Sequence, residues 1–185
     1  VAKRTLPFFD SVVRFGSVPS GCQHLFMCTL CCLVNIASHA SWQILKRLLS
    51  GSSGNQAMHS LLCVLEQVGE EDCELHRPHS TEVRASILRG AVFFVSMSSW
   101  GSQRVHGLHS QWARVLTGLS QVLECDHALV VYEVILAIQR LVKKYGQQLH
   151  AEWEILFPML ERQLQPWLER TRITSISSSS SSSSS

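Results

Sequence analysis

The sequence predicts an all-α protein, an α-solenoid of HEAT- or armadillo-like helical pairs, and three observations carry that reading. Apolar residues recur at i, i+3, i+4 and i+7 through most of the chain, the rhythm of one face of an α-helix. No Asn-Gly or Asp-Gly turn separates two alternating runs, so a strand would have no partner. About seven or eight helical segments of roughly 10 to 20 residues follow one another, which suits arrays with a unit of ~40 to 47 residues. A compact helical bundle is the competing architecture, because no exact internal sequence repeat is visible.

Taken in order, Leu6, Phe9 and Val13 mark the first helix. After the Pro19-Ser20-Gly21 turn, Leu25, Cys28, Cys32, Leu33 and Ile36 mark the second. Trp42, Leu45, Leu48 and Leu49 mark a shorter third. Met58, Leu61, Leu62, Leu65 and Val68 mark a fourth, behind SGSSGN. The segment GEEDCELHRPHST, Gly69 to Thr81, is polar, contains a proline, and reads as one long exposed loop.

The stretch ILRGAVFFVSMSSWG, Ile87 to Gly101, is too short an apolar run for periodicity alone to separate a buried strand from a buried helix. With no strand elsewhere to pair with, it is predicted to be a central helix. Ile87, Ala91, Phe94, Val95 and Ser98 form its most buried face, widened by Leu88 and Val92. Gly90 forfeits roughly 1 kcal/mol against alanine inside a helix, so its expected purpose is to admit another backbone closely. Gly101 is expected to close the helix behind Trp100.

Trp112, Val115, Leu116, Leu119, Val122 and Leu123 mark the next helix. In DHALVVYEVILAIQRLVKKYG the stripe is Val131, Val134, Ile135, Ile138, Leu141, Val142 and Tyr145. Asp126 stands as its N-cap, Lys143 and Lys144 complement the dipole, and Gly146 is placed to stop it in the left-handed conformation. Phe94, Val95, Val134, Ile138 and Leu141 are the predicted structural core. Leu149, Trp153, Leu156, Leu160, Leu164 and Trp167 mark a last helix, expected to kink or divide near Phe157 because Pro158 removes a backbone donor. The reading divides the chain into a helical-repeat domain at 1–172 and a disordered serine-rich tail at 173–185.

Composition narrows the function. Of 185 residues 45% are hydrophobic and 16% charged, with a formal net charge of +2 and scattered basic residues. This offers no electrostatic footprint for nucleic acid. The longest apolar run, Leu25 to Val34, falls far short of the ~20 residues that cross a bilayer, and no secretory signal is readable. Seven cysteines, an odd number mostly within helical patterns, point to a reducing, intracellular setting rather than a disulfide framework.

Cys28, Cys31 and Cys32 invite a zinc or redox reading, and a small helical metal-binding or redox protein using Cys28 and Cys31 is the alternative function. No second ligand pair lies at a usual spacing, so structural thiols are the expectation. His76, His79, His106 and His109 read as solvated loop histidines, and Glu70, Glu71, Asp72 and Glu74 as a solvated charge run. No phosphate-cradling glycine motif and no G-x-S-x-G elbow occurs. No cofactor and no catalytic or metal-ligating residue is therefore assigned.

LRGAVFFVSMSSWGSQRV, VVYEVILAIQRLVKKYGQQL and WEILFPMLERQLQ closely resemble the N-terminal helical-repeat region of the tuberin family. FFDSVVRFGSVP, LFMCTLCCLVNI and SWQILKRLLSG resemble the helices that precede it, so the likeness spans roughly Thr5 to Leu168. The resemblance implies a cytoplasmic, non-catalytic scaffold within a GTPase-activating complex, with recruitment to membrane surfaces as part of that complex. The implied partner is a hamartin-like coiled-coil protein, with further repeats on both sides. The family's catalytic domain, which acts on the small GTPase Rheb and restrains TOR growth signalling, lies at its far C-terminus. No catalytic residue of the family therefore maps onto this chain. The polar loop, Pro158 and the serine tail depart from the family pattern.

Overall fold

A computed structural model describes residues 2–67, 80–101, 111–125, 127–149 and 154–163, with 165, 166 and 169. The helices are α1 (Ala2–Phe15), α2 (Gln23–Val34), α3 (Ser38–Ser50), α4 (Gly54–Leu65), α5 (Thr81–Gly101), α6 (Trp112–Val122) and α7 (Ala128–Tyr145). An eighth, α8, covers 154–163. Single 3-10 turns at Ser20–Cys22 and Leu123–Cys125 lead into α2 and out of α6. No strand occurs among the described residues, and the fold is all-α.

The helices form two rows. α1, α3, α4 and α6 follow one another in the first, and α2, α5 and α7 in the second. α5 touches α2, α3, α4, α6 and α7, which sets it at the centre. Its Phe94 and Val95, with Val134, Ile138 and Leu141 of α7, are buried in one continuous apolar core. Each such side chain contributes about 1.5–3 kcal/mol relative to exposure.

Side-chain pairs fix the helix directions. Gln67 behind α4 accepts from Arg84 near the start of α5, so α4 and α5 form an antiparallel hairpin. Trp112 at the start of α6 packs on Tyr145 at the end of α7, with ring centroids 4.8 Å apart, and this makes a second hairpin. Between the hairpins the order is parallel. Glu82 meets His127, Arg89 meets Glu133, Ser96 meets Arg140, and Ser99 meets Tyr145. α4 and α6 agree, with Cys63 beside Arg114 and Gln67 donating to Gln121. Ser96 and Arg140 are 44 residues apart in sequence, within the ~40 to 47 of a HEAT-type unit. The α4/α5 and α6/α7 hairpins thus stack as repeats do.

Gly90 is where α5 crosses α2. A Cβ there would lie 1.9 Å from the Cys31 carbonyl oxygen, so the close backbone approach is real. Asn35, just past α2, extends this antiparallel crossing by donating 2.8 Å to the Ser86 carbonyl. At the other edge Phe9 of α1 stacks on Phe26 of α2 at 4.2 Å.

Several expectations are corrected. Leu25 is 48% exposed and Ile36 76%, because α2 turns Phe26, Met27, Leu30, Cys31, Leu33 and Val34 inward. α3, α4 and α5 cover α2 on several sides, and an apolar helix so enclosed has no single stripe to read. On α7 the buried face is Val130, Val134, Ala137, Ile138, Leu141 and Tyr145, while Ile135 lies outside and Val131 and Val142 are half-buried. α3 is not the shorter helix, having 13 residues against 12 in α4. Gly146 keeps right-handed angles, φ −50° and ψ −39°, and Gly101 belongs to α5 itself. Of the kink or division expected near Phe157, the division does not occur, since 154–163 is one unbroken helical stretch. Pro158 sits on its exposed side, where water can satisfy the carbonyl left without a donor. The loop expected from Gly69 to Thr81 stops short of Thr81, which opens α5, and its residues 69–79 lie outside the described residues with Asp126, Val68, Trp153, Leu164, Trp167 and the serine tail.

Candidate functional site

The surface with the most developed chemistry is the seam between α5 and α7 and the outer face of α7 beside it. Glu133 is only 7% exposed. Arg89 reaches its carboxylate from α5 with Nε at 3.7 Å, and Arg140 from α7 with Nη1 at 3.7 Å. A carboxylate buried alone would cost several kcal/mol, and two flanking guanidiniums offset that cost. Arg140 also donates to Ser96 Oγ at 3.2 Å. At the far end of the seam the Tyr145 hydroxyl and Lys144 Nζ both donate to the Ser99 carbonyl, the lysine at 2.8 Å. The Arg89–Glu133, Arg140–Ser96 and Lys144/Tyr145–Ser99 joints each tie one hairpin to the next.

The α4–α6 seam has its own clamp. Arg114 holds Glu66 with Nε at 2.5 Å and Nη2 at 2.7 Å, and Nη2 lies 3.8 Å from Cys63 Sγ. This bidentate geometry fixes orientation as well as charge. The hydrogen bond to Glu66 holds the Arg114 guanidinium above its ordinary value, against an opposing effect of burial. Gly118 completes the joint, since a Cβ there would come within 2.8 Å of Leu65 Cδ2.

On its opposite side α7 presents Leu129, Tyr132 and Ile135 to solvent, 53%, 60% and 42% exposed, with Gln139 and Lys143 beyond them. Their spacing lays three large apolar groups along one helical face. In the other row α8 brings Met159 and Arg162 beside Ser120 and Leu123 of the α6 segment. Among the described residues no helix lies over the outer stripe of α7.

The cysteines have a different character. Cys31 is wholly buried and Cys28 nearly so, with Cys28 Sγ 3.4 Å from His24 Nε2. Burial pushes the Cys31 thiol well above its ordinary value, and the adjacent Cys28 and Cys32 add to the rise. Metal ligation and disulfide exchange both need the thiolate, which this burial disfavours. Among the described residues no group of three His, Cys, Asp or Glu side chains converges as metal ligands do. His76, His79, His106, His109, Glu70, Glu71, Asp72 and Glu74 lie outside them. No described helix is long and apolar enough to cross a membrane.

Sequence reasoning missed the buried Glu133. A signal was present, since Glu133 sits beside Val130, Val134 and Ala137 on the buried arc, with Arg140 two turns later. The stacked hairpins, the Gly90 crossing and the charge-matched seams are features of one continuous helical array, and a family model matches all of it. Spanning residues 1–185, that match is to the family described as "Domain of unknown function (DUF3384)", and the chain belongs to it.

Proposed function

We propose that this chain is a non-catalytic scaffold, the helical-repeat region of a tuberin-like GTPase-activating protein, and that it holds a hamartin-like coiled-coil partner. The observation that supports this reading best is the outer stripe of α7. Leu129, Tyr132 and Ile135 offer apolar anchors on a rigid helix locked from behind by the Arg89–Glu133–Arg140 cluster. A pre-ordered helical face of this kind suits a partner that is itself an amphipathic helix. The tuberin-like blocks around Gly90 and along α7 supply the choice of family within that class.

In this reading the chain works in the cytoplasm, as part of a complex that restrains Rheb and TOR growth signalling, and supplies binding rather than chemistry. The full burial of Cys31, which disfavours its thiolate, supports structural thiols over a metal or redox function. The test is capture of a hamartin-like coiled coil by the purified chain, read by co-elution in gel filtration. Co-elution is expected, while a single-turnover assay on a Rheb-like GTPase should show no faster hydrolysis than the GTPase alone. Acceleration in that assay overturns the non-catalytic assignment.

A further inference from the structure

A cleft of about 100 Å³ opens where the ends of α1 and α3 meet the beginnings of α2 and α4. By comparison a water needs roughly 15 Å³ and an engineered cavity of about 150 Å³ takes a benzene ring, so there is space for a short apolar stem. Phe26 and Met27 of α2 form a buried floor, with half-buried Leu48 of α3 at the side. The polar groups converge on the other wall. Ser60 of α4 lines the cleft at 8% exposure, and its hydroxyl has no hydrogen-bond partner among the described residues. Ser53, at the N-cap of α4, also lines it and makes no side-chain capping bond to the first-turn amides.

The charge at this corner is unbalanced. Arg47 is the one charged side chain among the lining residues. Its Nη1 pairs with Asp10, but Asp10 is shared with Arg14, so two guanidiniums face one carboxylate. A hydroxyl open to the cleft with no partner among the described residues, an uncapped helix start and a surplus positive charge all favour the same group, an anion with hydrogen-bond acceptors.

We propose that this cleft binds a small carboxylate on a short apolar stem, the stem lying on Phe26, Met27 and Leu48 and the carboxylate at the start of α4 near Arg47 and Ser60. A free branched short-chain acid presents this chemistry, and so does the C-terminal leucine of a peptide. The inference is independent of the proposed function, because the cleft lies in the α1–α4 part of the fold and not on α7.

The test is an NMR titration of the whole chain with isovalerate, with isovaleramide, and with an acetylated tripeptide ending in leucine. Saturable shifts of the amides from Gly54 to Ala57 are expected with isovalerate or with the peptide. The tighter of the two identifies the source. Isovaleramide should bind about tenfold more weakly, as a lost charge-assisted hydrogen bond implies. Arg47→Gln and Ser60→Ala should each weaken binding several-fold, and Ser60→Leu, which fills the cleft, should abolish it in a chain whose circular dichroism is unchanged. Absence of saturable binding by both acid and peptide overturns the proposal. So does equal binding of the amide, or binding indifferent to both Arg47→Gln and Ser60→Ala.

Discussion

Gly90 lies against the Cys31 carbonyl so closely that a methyl group on its α-carbon would sit 1.9 Å from the oxygen and 2.5 Å from the carbon. Two opposed effects bear on Gly90→Ala. Alanine gains about 1 kcal/mol in helix propensity, while forcing two backbones apart costs about 1–3 kcal/mol or more in a packed core. The obstacle is backbone rather than a flexible side chain, so the second effect wins. Gly90→Ala should lower the midpoint of thermal unfolding, and a raised midpoint would place the crossing elsewhere.

On α7 the prediction is a contrast between neighbours. Ile138 is buried, while Ile135, three residues earlier and at the border of the exposed face, is 42% exposed. Ile138→Ala should cost about 2–5 kcal/mol, and Ile135→Ala within about 0.5 kcal/mol. Chemical denaturation of both variants reads the difference directly. Equal losses would mean that α7 is turned from the orientation described.

That contrast also marks how far the sequence could be read. The helix itself was legible from its period, and Ile138 and Leu141 fell on the right side. Its exact facing was not, because Val131 and Ile135 are as apolar as the core residues, and Ile135 stays part-exposed where no described helix covers it. α2 failed for the complementary reason, since neighbours surround it and apolar residues occupy nearly every side. Gly90 was legible because a glycine inside a long apolar helix forfeits stability unless a second backbone needs the room. The buried Glu133 was not, because its partners Arg89 and Arg140 come together only once α5 and α7 stack in parallel. Likewise the α1–α4 cleft joins residues whose sequence positions carry no common pattern.

Glu133→Ala should destabilise by about 1–3 kcal/mol. Removing one member of a fully buried pair costs about 3–5 kcal/mol, but the arginine side chains here are over a third exposed and can turn to water. A double-mutant cycle with Arg89→Ala should return a coupling of about 0.5–1 kcal/mol. Zero coupling would remove the cluster from the seam.

The Cys31 thiol gives a pH dependence with a definite sign. Its folded-state value is raised by burial above the ordinary 9.0. The unfolded chain therefore loses this proton first as pH rises, and the native state binds more protons in that window. The stabilisation is whole below the ordinary thiol value and is lost progressively above it. Denaturation from pH 7 to pH 10 should show a steeper decline for the native sequence than for Cys31→Ala. Parallel curves would mean that the thiol ionises as easily folded as unfolded.

Docking of a partner on the outer face of α7 is read by calorimetric titration of the chain with a hamartin-like coiled coil, beside the double variant Tyr132→Ala/Ile135→Ala. An aromatic hot spot is commonly worth about 2 kcal/mol or more, so the variant should bind at least about thirtyfold more weakly. Its unfolding midpoint should be nearly unchanged, because both side chains are solvent-exposed. Affinity should fall only modestly with added salt, as apolar contact predicts. Binding of the variant as tight as that of the native chain, or no binding by either, would contradict the account.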